Sequence, residues 1–225
     1  MAKLQLGSFK QAPRTTQATV TEHLRQAILL GRLPGGTRLV QSELAEAFNV
    51  SVTPIREALR ELSTQGLIEL DAFKGAVVRM PTLAELEEIY ELRSVLIPLC
   101  VGKSIARITP QQIQEAESIL DQMEATTTEE VWVDLNRNFH NLLDDAAQTT
   151  LLKQTLQQLS DLSATYINLS FGEQPFRKES SEKEHREILQ AYADKNVELA
   201  TQLIFNHFNG TLDAARAALA KTVCH

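Results

Sequence analysis

The sequence predicts a mainly α chain in two parts: an N-terminal winged helix-turn-helix and a C-terminal antiparallel bundle of six or seven helices. Three observations carry this. Up to Met80 the signals run helix, helix, turn, helix, hairpin. After Pro81 helix-start signals recur and no strand-period pattern appears. Charge divides at the same place. Residues 1–80 hold ten Lys/Arg and seven Asp/Glu, a net of +3, whereas 81–225 hold twelve and twenty-two, a net of −10. A mildly basic front on an acidic back is the pattern of a chain whose front alone meets a polyanion.

The 225 residues suit one large domain or two modest ones, and the 43% apolar content suits a globular fold. No apolar run approaches the length of a bilayer span and no signal sequence opens the chain, so a cytoplasmic protein is expected. Cys100 and Cys224 are too few for a disulfide framework and lack metal-ligand spacing, which leaves them free thiols.

Residues 1–14 have no sustained period and read as a flexible arm ahead of a domain over 15–80. Val20, Leu24 and Ile28 recur at four-residue spacing and stop at Gly31, an amphipathic helix with a glycine end. "LPGG" turns the chain. Leu44, Ala45 and Phe48 form the stripe of a short second helix, which Asn49 can end in the left-handed conformation. In "SVTPIREALRELSTQG", Thr53 is the expected N-cap and Pro54 the first helical residue. Ile55, Ala58, Leu59 and Leu62 make the buried face, Arg56 and Arg60 lie off it, and Gly66 ends the helix. "LIEL", "DAFKG" and "AVVRM" complete a hairpin. A helix that enters the major groove needs a first turn free to approach the duplex. Small hydroxyls and free N–H groups there suit phosphate oxygens, and an arginine reaches a phosphate or a guanine edge.

Here the sequence resembles the N-terminal domain of GntR-family transcription regulators. The likeness runs from about Val20 to Arg79 and rests on Gly31, Pro34, Gly35, Leu39, Leu44, Ala45, Val50, Ser51, Thr53, Pro54, Arg56, Glu57, Ala58, Leu59, Leu62, Gly66, Leu67 and Gly75. The resemblance implies DNA contacts from Ser42, Ser51, Thr53 and Arg56, with the wing tip at Lys74 and Gly75 in the minor groove. Val52 stands where the family commonly has a base-reading arginine. A valine retains only an apolar contact, such as one to a thymine methyl.

The second domain, 81–225, opens on a capping box at Thr82 and Glu85. Further helix starts are expected at Thr109-Pro110, at Thr127 with Glu130, at Thr149, at Ser181 with Glu184, and at Asn196. Pro98 falls inside the first of these helices. Polar residues on the apolar stripes point to a site. Asn136 and His140 share a face with Val133, Leu143 and Ala147. His185 aligns with Ile188, Leu189 and Tyr192, and His207 with Ala200, Leu203 and Ile204. Three inward imidazoles on three helices, with an amide one turn before the first, predict a metal site in the bundle core. His23 and His225 lack such company and read as surface residues.

This region resembles the FCD ligand-binding domain of the FadR subgroup of the same regulators, over about Leu83 to Ala218. The family motif is Asp-x-x-x-His followed by two histidines, as in "HREILQAYADKNVELATQLIFNH". Asn136 replaces the commoner aspartate, and Asp134 is badly placed to substitute for it. The resemblance implies a divalent cation, and three imidazoles suit zinc or nickel better than magnesium or calcium. It also implies a small organic-acid effector at open positions of the ion. Arg93, Tyr166 and Asn168 are candidate cavity polars.

The sequence therefore predicts a homodimeric regulator, a repressor of a palindromic operator controlled by an organic acid, with no catalytic residues. A metal-dependent hydrolase fused to a DNA-binding head is the alternative. It would need a general base beside the ion, and the inward stripes offer no further carboxylate near His140, His185 or His207. A third reading makes the metal purely structural.

Overall fold

The computed structural model describes residues 16–71, 75–80, 82–173 and 176–222 of the chain. The arm expected over 1–14, the wing-tip residue Lys74, Cys224 and His225 lie outside the described residues. So do the side chains of Tyr166 and Asn168. Two compact units divide the chain. One takes the residues up to Ile28 and Leu33–Arg79; the other takes Leu29–Arg32 and everything from Met80.

The first unit contains α1 (Thr16–Leu29), β1 (Arg38–Leu39), α2 (Gln41–Ala47), α3 (Val52–Thr64), β2 (Ile68–Asp71) and β3 (Gly75–Val78). Val20, Leu24 and Ile28 of α1 and Ile55, Ala58, Leu59 and Leu62 of α3 are all buried, as their spacing predicts. The helix ends follow from local chemistry. Asn49 (φ 53°) and Gly66 (φ 78°) adopt left-handed backbone. After each, the chain closes a Schellman motif. Val50 N–H donates to Ala45 O and Leu67 N–H to Leu62 O, both at 3.0 Å. β3 lies between β1 and β2, antiparallel to each. The two-residue β1 is absent from the sequence reading, because a pair of residues carries no readable alternation.

One start differs from expectation. The N-cap of α3 is Ser51 (φ −71°, ψ 164°), not Thr53, so Val52 is the first helical residue and Pro54 the third. Proline is tolerated there because the N–H groups of the whole first turn have no intrahelical partner. The Ser51 side chain makes no capping bond.

The second unit is a bundle built, among the described residues, from α4 (Leu83–Arg107), α5 (Pro110–Ala125), α6 (Glu129–Asp145), α7 (Thr150–Glu173), α8 (Phe176–Ala193) and α9 (Val197–Thr222). α9 packs against α4, α7 and α8, and α6 packs against α4, α5 and α7. Trp132, Phe139, Ile188, Tyr192 and Met123 fill the centre. Thr82–Glu85 and Thr109–Gln112 form complete capping boxes, and Asn196 Oδ1 accepts from Leu199 N–H at 3.1 Å at the start of α9. α4 runs on through Pro98.

Two expected caps are corrected. Thr128, not Thr127, caps α6; its side chain makes no capping bond, and its backbone N–H donates to Thr126 Oγ1 at 3.2 Å. Ser181 is no cap. It lies within α8 and is buried, since a Ser/Glu pair three apart also occurs inside a helix that has already begun. Replacing Thr109 by alanine removes the side-chain half of a real capping box and leaves the Thr109 N–H bond to Gln112 Oε1. Thr109→Ala should lower stability by about 1 kcal/mol, read as a shift of the denaturation midpoint at constant slope.

Candidate functional site

The first unit presents an exposed helix start. Ser51, Val52, Thr53 and Arg56 of the α3 region and Ser42 of α2 are all exposed. Val52 is 45% accessible, high for an apolar residue at a helix start. Arg56 Nε lies 3.5 Å and Arg60 Nη1 3.2 Å from the same Glu57 Oε1. Such exposed pairs contribute little to stability and yield readily to a phosphate. Glu61 is engaged elsewhere, accepting from Thr21 Oγ1 at 3.2 Å and Gln17 Nε2 at 3.0 Å. Gly75 opens β3 at φ 76°, a conformation that favours glycine.

The second unit gathers three histidines. His140 of α6, His185 of α8 and His207 of α9 each offer a ligand nitrogen, all within 4.8 Å of one another. Their ring centroids are 5.1 Å (His140–His185), 5.2 Å (His140–His207) and 4.6 Å (His185–His207) apart. Phe139 and Trp132 pack around His185, and Phe208 lies 5.5 Å from both His140 and His207. This apolar wall fixes the protonation state. Burial, the neighbouring His207 and the Arg93 cation together push the His140 pKa well below its ordinary value. His140 is therefore a neutral imidazole at pH 7, the form that ligates metals.

A carboxylate orients the third histidine. Nδ1–H of His207 donates to Glu184 Oε2 at 2.6 Å, which leaves Nε2 as the lone-pair nitrogen. Carboxylate-held imidazoles of this kind are typical supports of metal ligands. It also corrects the expectation of no carboxylate near the histidines. Glu184 is next to His185 in the chain, off its apolar stripe, and reaches across to α9. The signal was present only as adjacency to a candidate ligand. Already bonded to His207, Glu184 acts as a support rather than a free base.

The donor set fits a cation. Asn136 Oδ1 and His140 Nε2 are buried without a hydrogen-bond partner among the described residues. Unmet polar atoms of this kind are costly, so two on one helix face mark a place for an absent group. Both residues line a cavity of about 50 Å³. Arg93 of α4 and Arg137 of α6 line it too, as does the buried Asp161 of α7, and Arg137 Nη2 is already paired with Asp134 Oδ1 at 2.9 Å. Arg93 is buried; its Nη1 donates to Ser163 Oγ at 3.3 Å and its guanidinium lies 3.8 Å from the Phe208 ring centre. Burial pulls its pKa down, but a guanidinium stays charged at pH 7. Sequence reasoning missed Arg137, Ser160 and Thr211 of this lining. Arginine after an asparagine on a mixed helix face gives no cue of its own. His23 is exposed, with Nδ1 2.8 Å from Thr19 O, and takes no part. Among the described residues, no helix is long and apolar enough to cross a membrane.

Comparison with known proteins agrees with both units. Residues 16–78 match the family described as bacterial regulatory proteins, gntR family, and residues 88–210 match the FCD domain. The chain is 32% identical over 191 residues to the uncharacterized HTH-type transcriptional regulator YdhC of Bacillus subtilis, covering 83% of this chain and 84% of that one. It is 27% identical to the probable D-xylose utilization operon transcriptional repressor of Paenarthrobacter nicotinovorans, covering 90% of this chain and 96% of the relative. Among solved structures, E. coli McbR/YncC superposes with a TM-score of 0.81 at 21% identity, covering 93% of this chain and 99% of the other. That likeness speaks for the fold. A DNA-reading head joined to a bundle with a buried polar cavity is thus the arrangement of a known class, and this chain belongs to the GntR family of transcriptional regulators with an FCD domain, a regulator and not an enzyme.

Proposed function

We propose that the protein is a cytoplasmic, homodimeric repressor whose operator affinity is set by a small organic acid held at a divalent metal ion in the FCD cavity. The observation that carries this reading is the pair of partnerless buried atoms, Asn136 Oδ1 and His140 Nε2, beside the converging His185 and His207. Asn136, His140, His185 and His207 would hold the ion. Zinc or nickel suits a set of three imidazoles. Once bound, it would offer a Lewis-acidic position to a carboxylate. Arg93 supplies positive charge at the same cavity and so favours an anion, while Arg137 is paired with Asp134.

DNA contact is assigned to Ser42, Ser51, Val52, Thr53, Arg56 and Gly75, with Lys74 at the wing tip. Their common feature, where described, is exposure around the start of α3 and the first residue of β3. An apolar row on α4, Leu92, Val95 and Leu99, is 48%, 67% and 56% accessible and supports self-association of the bundle. A two-fold dimer implies a palindromic operator. The acid must bind the DNA-competent and incompetent arrangements with different affinity, or it changes nothing.

The hydrolase alternative has lost its ground, because the family is one of regulators. A purely structural metal is the other reading, and it would give the buried Arg93 guanidinium at the cavity no part in the site. Chelation followed by metal addition, with and without organic acids, separates these readings. A sensor is stabilised by the acid only when metal-loaded; a structural site is stabilised by metal alone.

Two variants test the halves independently. Arg56→Ala should weaken operator binding and reduce the slope of log affinity against log salt by about one unit. An unchanged slope and affinity removes Arg56 from the interface. His185→Ala should abolish metal uptake, measured by elemental analysis, while operator binding in the absence of acid persists. Full retention of metal in that variant rejects the site.

A further inference from the structure

A second, smaller cavity of about 30 Å³ shares Arg93, His140, Ser160 and Phe208 with the first. Its other polar lining includes Asn141, Asp144 and Gln157. The two cavities adjoin along one face of α6. Asn136, His140 and Asp144 stand at four-residue intervals on that helix, so each is about 6 Å further along its axis than the last. An amide, an imidazole and a carboxyl thus form a line, with the carboxyl in the second cavity.

Asp144 is an odd residue for that place. The cavity is lined by an arginine and by Val101, Ile97, Leu156 and Phe208. Its side chain has one hydrogen bond, accepted from the Cys100 thiol at 3.4 Å, and a thiol is a weak donor. Burial raises the Asp144 pKa to about 6 and the Cys100 pKa to about 12, so the thiol stays protonated and the carboxyl is ionised at pH 7. A half-buried carboxylate served by one thiol retains acceptor capacity toward the cavity it lines.

From this arrangement we infer that Asp144 is a specificity-determining residue, accepting from an O–H or N–H group that the effector carries about three carbons beyond its carboxylate. The inference rests on the reading of the His140 cavity as an organic-acid site. It narrows the effector from any small acid to a hydroxy or amino acid. The acid end lies toward His140 and Arg93, and the donor end lies one helical turn along α6. A plain alkanoate of the same length would instead place a methyl group against the carboxylate and leave it unmet.

The test uses the full chain loaded with zinc and three acids of equal length: pentanoate, 4-hydroxybutyrate and 4-aminobutyrate. Affinities are read by calorimetry, or by fluorescence of Trp132, whose ring lies 6.2 Å from His185. At least one of the two donor acids should bind about tenfold or more tighter than pentanoate, the effect of one charge-assisted hydrogen bond. In Asp144→Leu that preference should vanish while pentanoate binds as well or better, which also shows that the variant is folded. Asp144→Asn distinguishes the donors: preference for the amine is lost, and preference for the hydroxyl survives. Equal binding of all three acids to the unaltered chain overturns the inference but leaves the acid site standing. So does a preference that persists in Asp144→Leu. If no acid binds to the zinc-loaded chain, the acid site falls and the subsite falls with it.

Discussion

Buried polar atoms must find partners, and two in the second unit, Asn136 Oδ1 and His140 Nε2, find no hydrogen bond among the described residues. Three imidazoles from α6, α8 and α9 meet inside an apolar wall of Trp132, Phe139 and Phe208. Desolvation keeps His140 neutral and so leaves its lone pair available. The Glu184 bond fixes the ring of His207 and selects its tautomer. Each of these features raises the gain from binding a cation there. A core made only for stability would carry leucine at Asn136 and His140.

The helices place these groups because their apolar stripes dictate their facing. His185 follows Ile188, Leu189 and Tyr192 into the core, and all three are buried. His207 follows Ala200 and Ile204 in the same way. Arg93 comes from the opposite side, on α4, and is held by Ser163 and the face of Phe208. The Asp144 carboxylate lines the second cavity with Arg93, and Arg93 Nε has no hydrogen-bond partner among the described residues, so the guanidinium retains capacity for an incoming anion. β3 ends at Val78 and α4 begins at Leu83, so Arg93 sits on the helix that follows the reading unit directly in the chain.

Much of this was legible in the sequence, for reasons visible in particular residues. The inward histidines were readable because an amphipathic stripe fixes direction, whatever the partner helix does. Thr82, Thr109 and Asn196 were readable because a cap side chain bonds only three residues away. Thr53 misled, since Thr-Pro resembles a start one turn early or late with equal propriety, and the backbone chose Ser51. Ser181 misled because its spacing to Glu184 is the same inside a helix as at its start. Glu184, Arg137 and Asp144 were not legible as site residues. They are charged and lie off or at the edge of the apolar stripes, and only the packing of α6 against α4 and α7 and of α8 against α9 decides what they meet.

The asparagine at 136 has a consequence for how the two ligands of the proposed cavity depend on each other. Three neutral imidazoles and an amide contribute no negative charge to a divalent ion. Arg93 nearby opposes its charge further, whereas the Glu184 carboxylate on His207 and Asp161 in the lining offset part of it. Such a set binds the ion less firmly than one with an aspartate, and it leaves more of the positive charge for an anion to meet. Binding of acid and ion then reinforce each other, and by linkage the reinforcement is equal in both directions. With this donor set, the proposed site would respond to the acid and to the ion together, where an aspartate at 136 would hold the ion more firmly and leave the acid as the main variable.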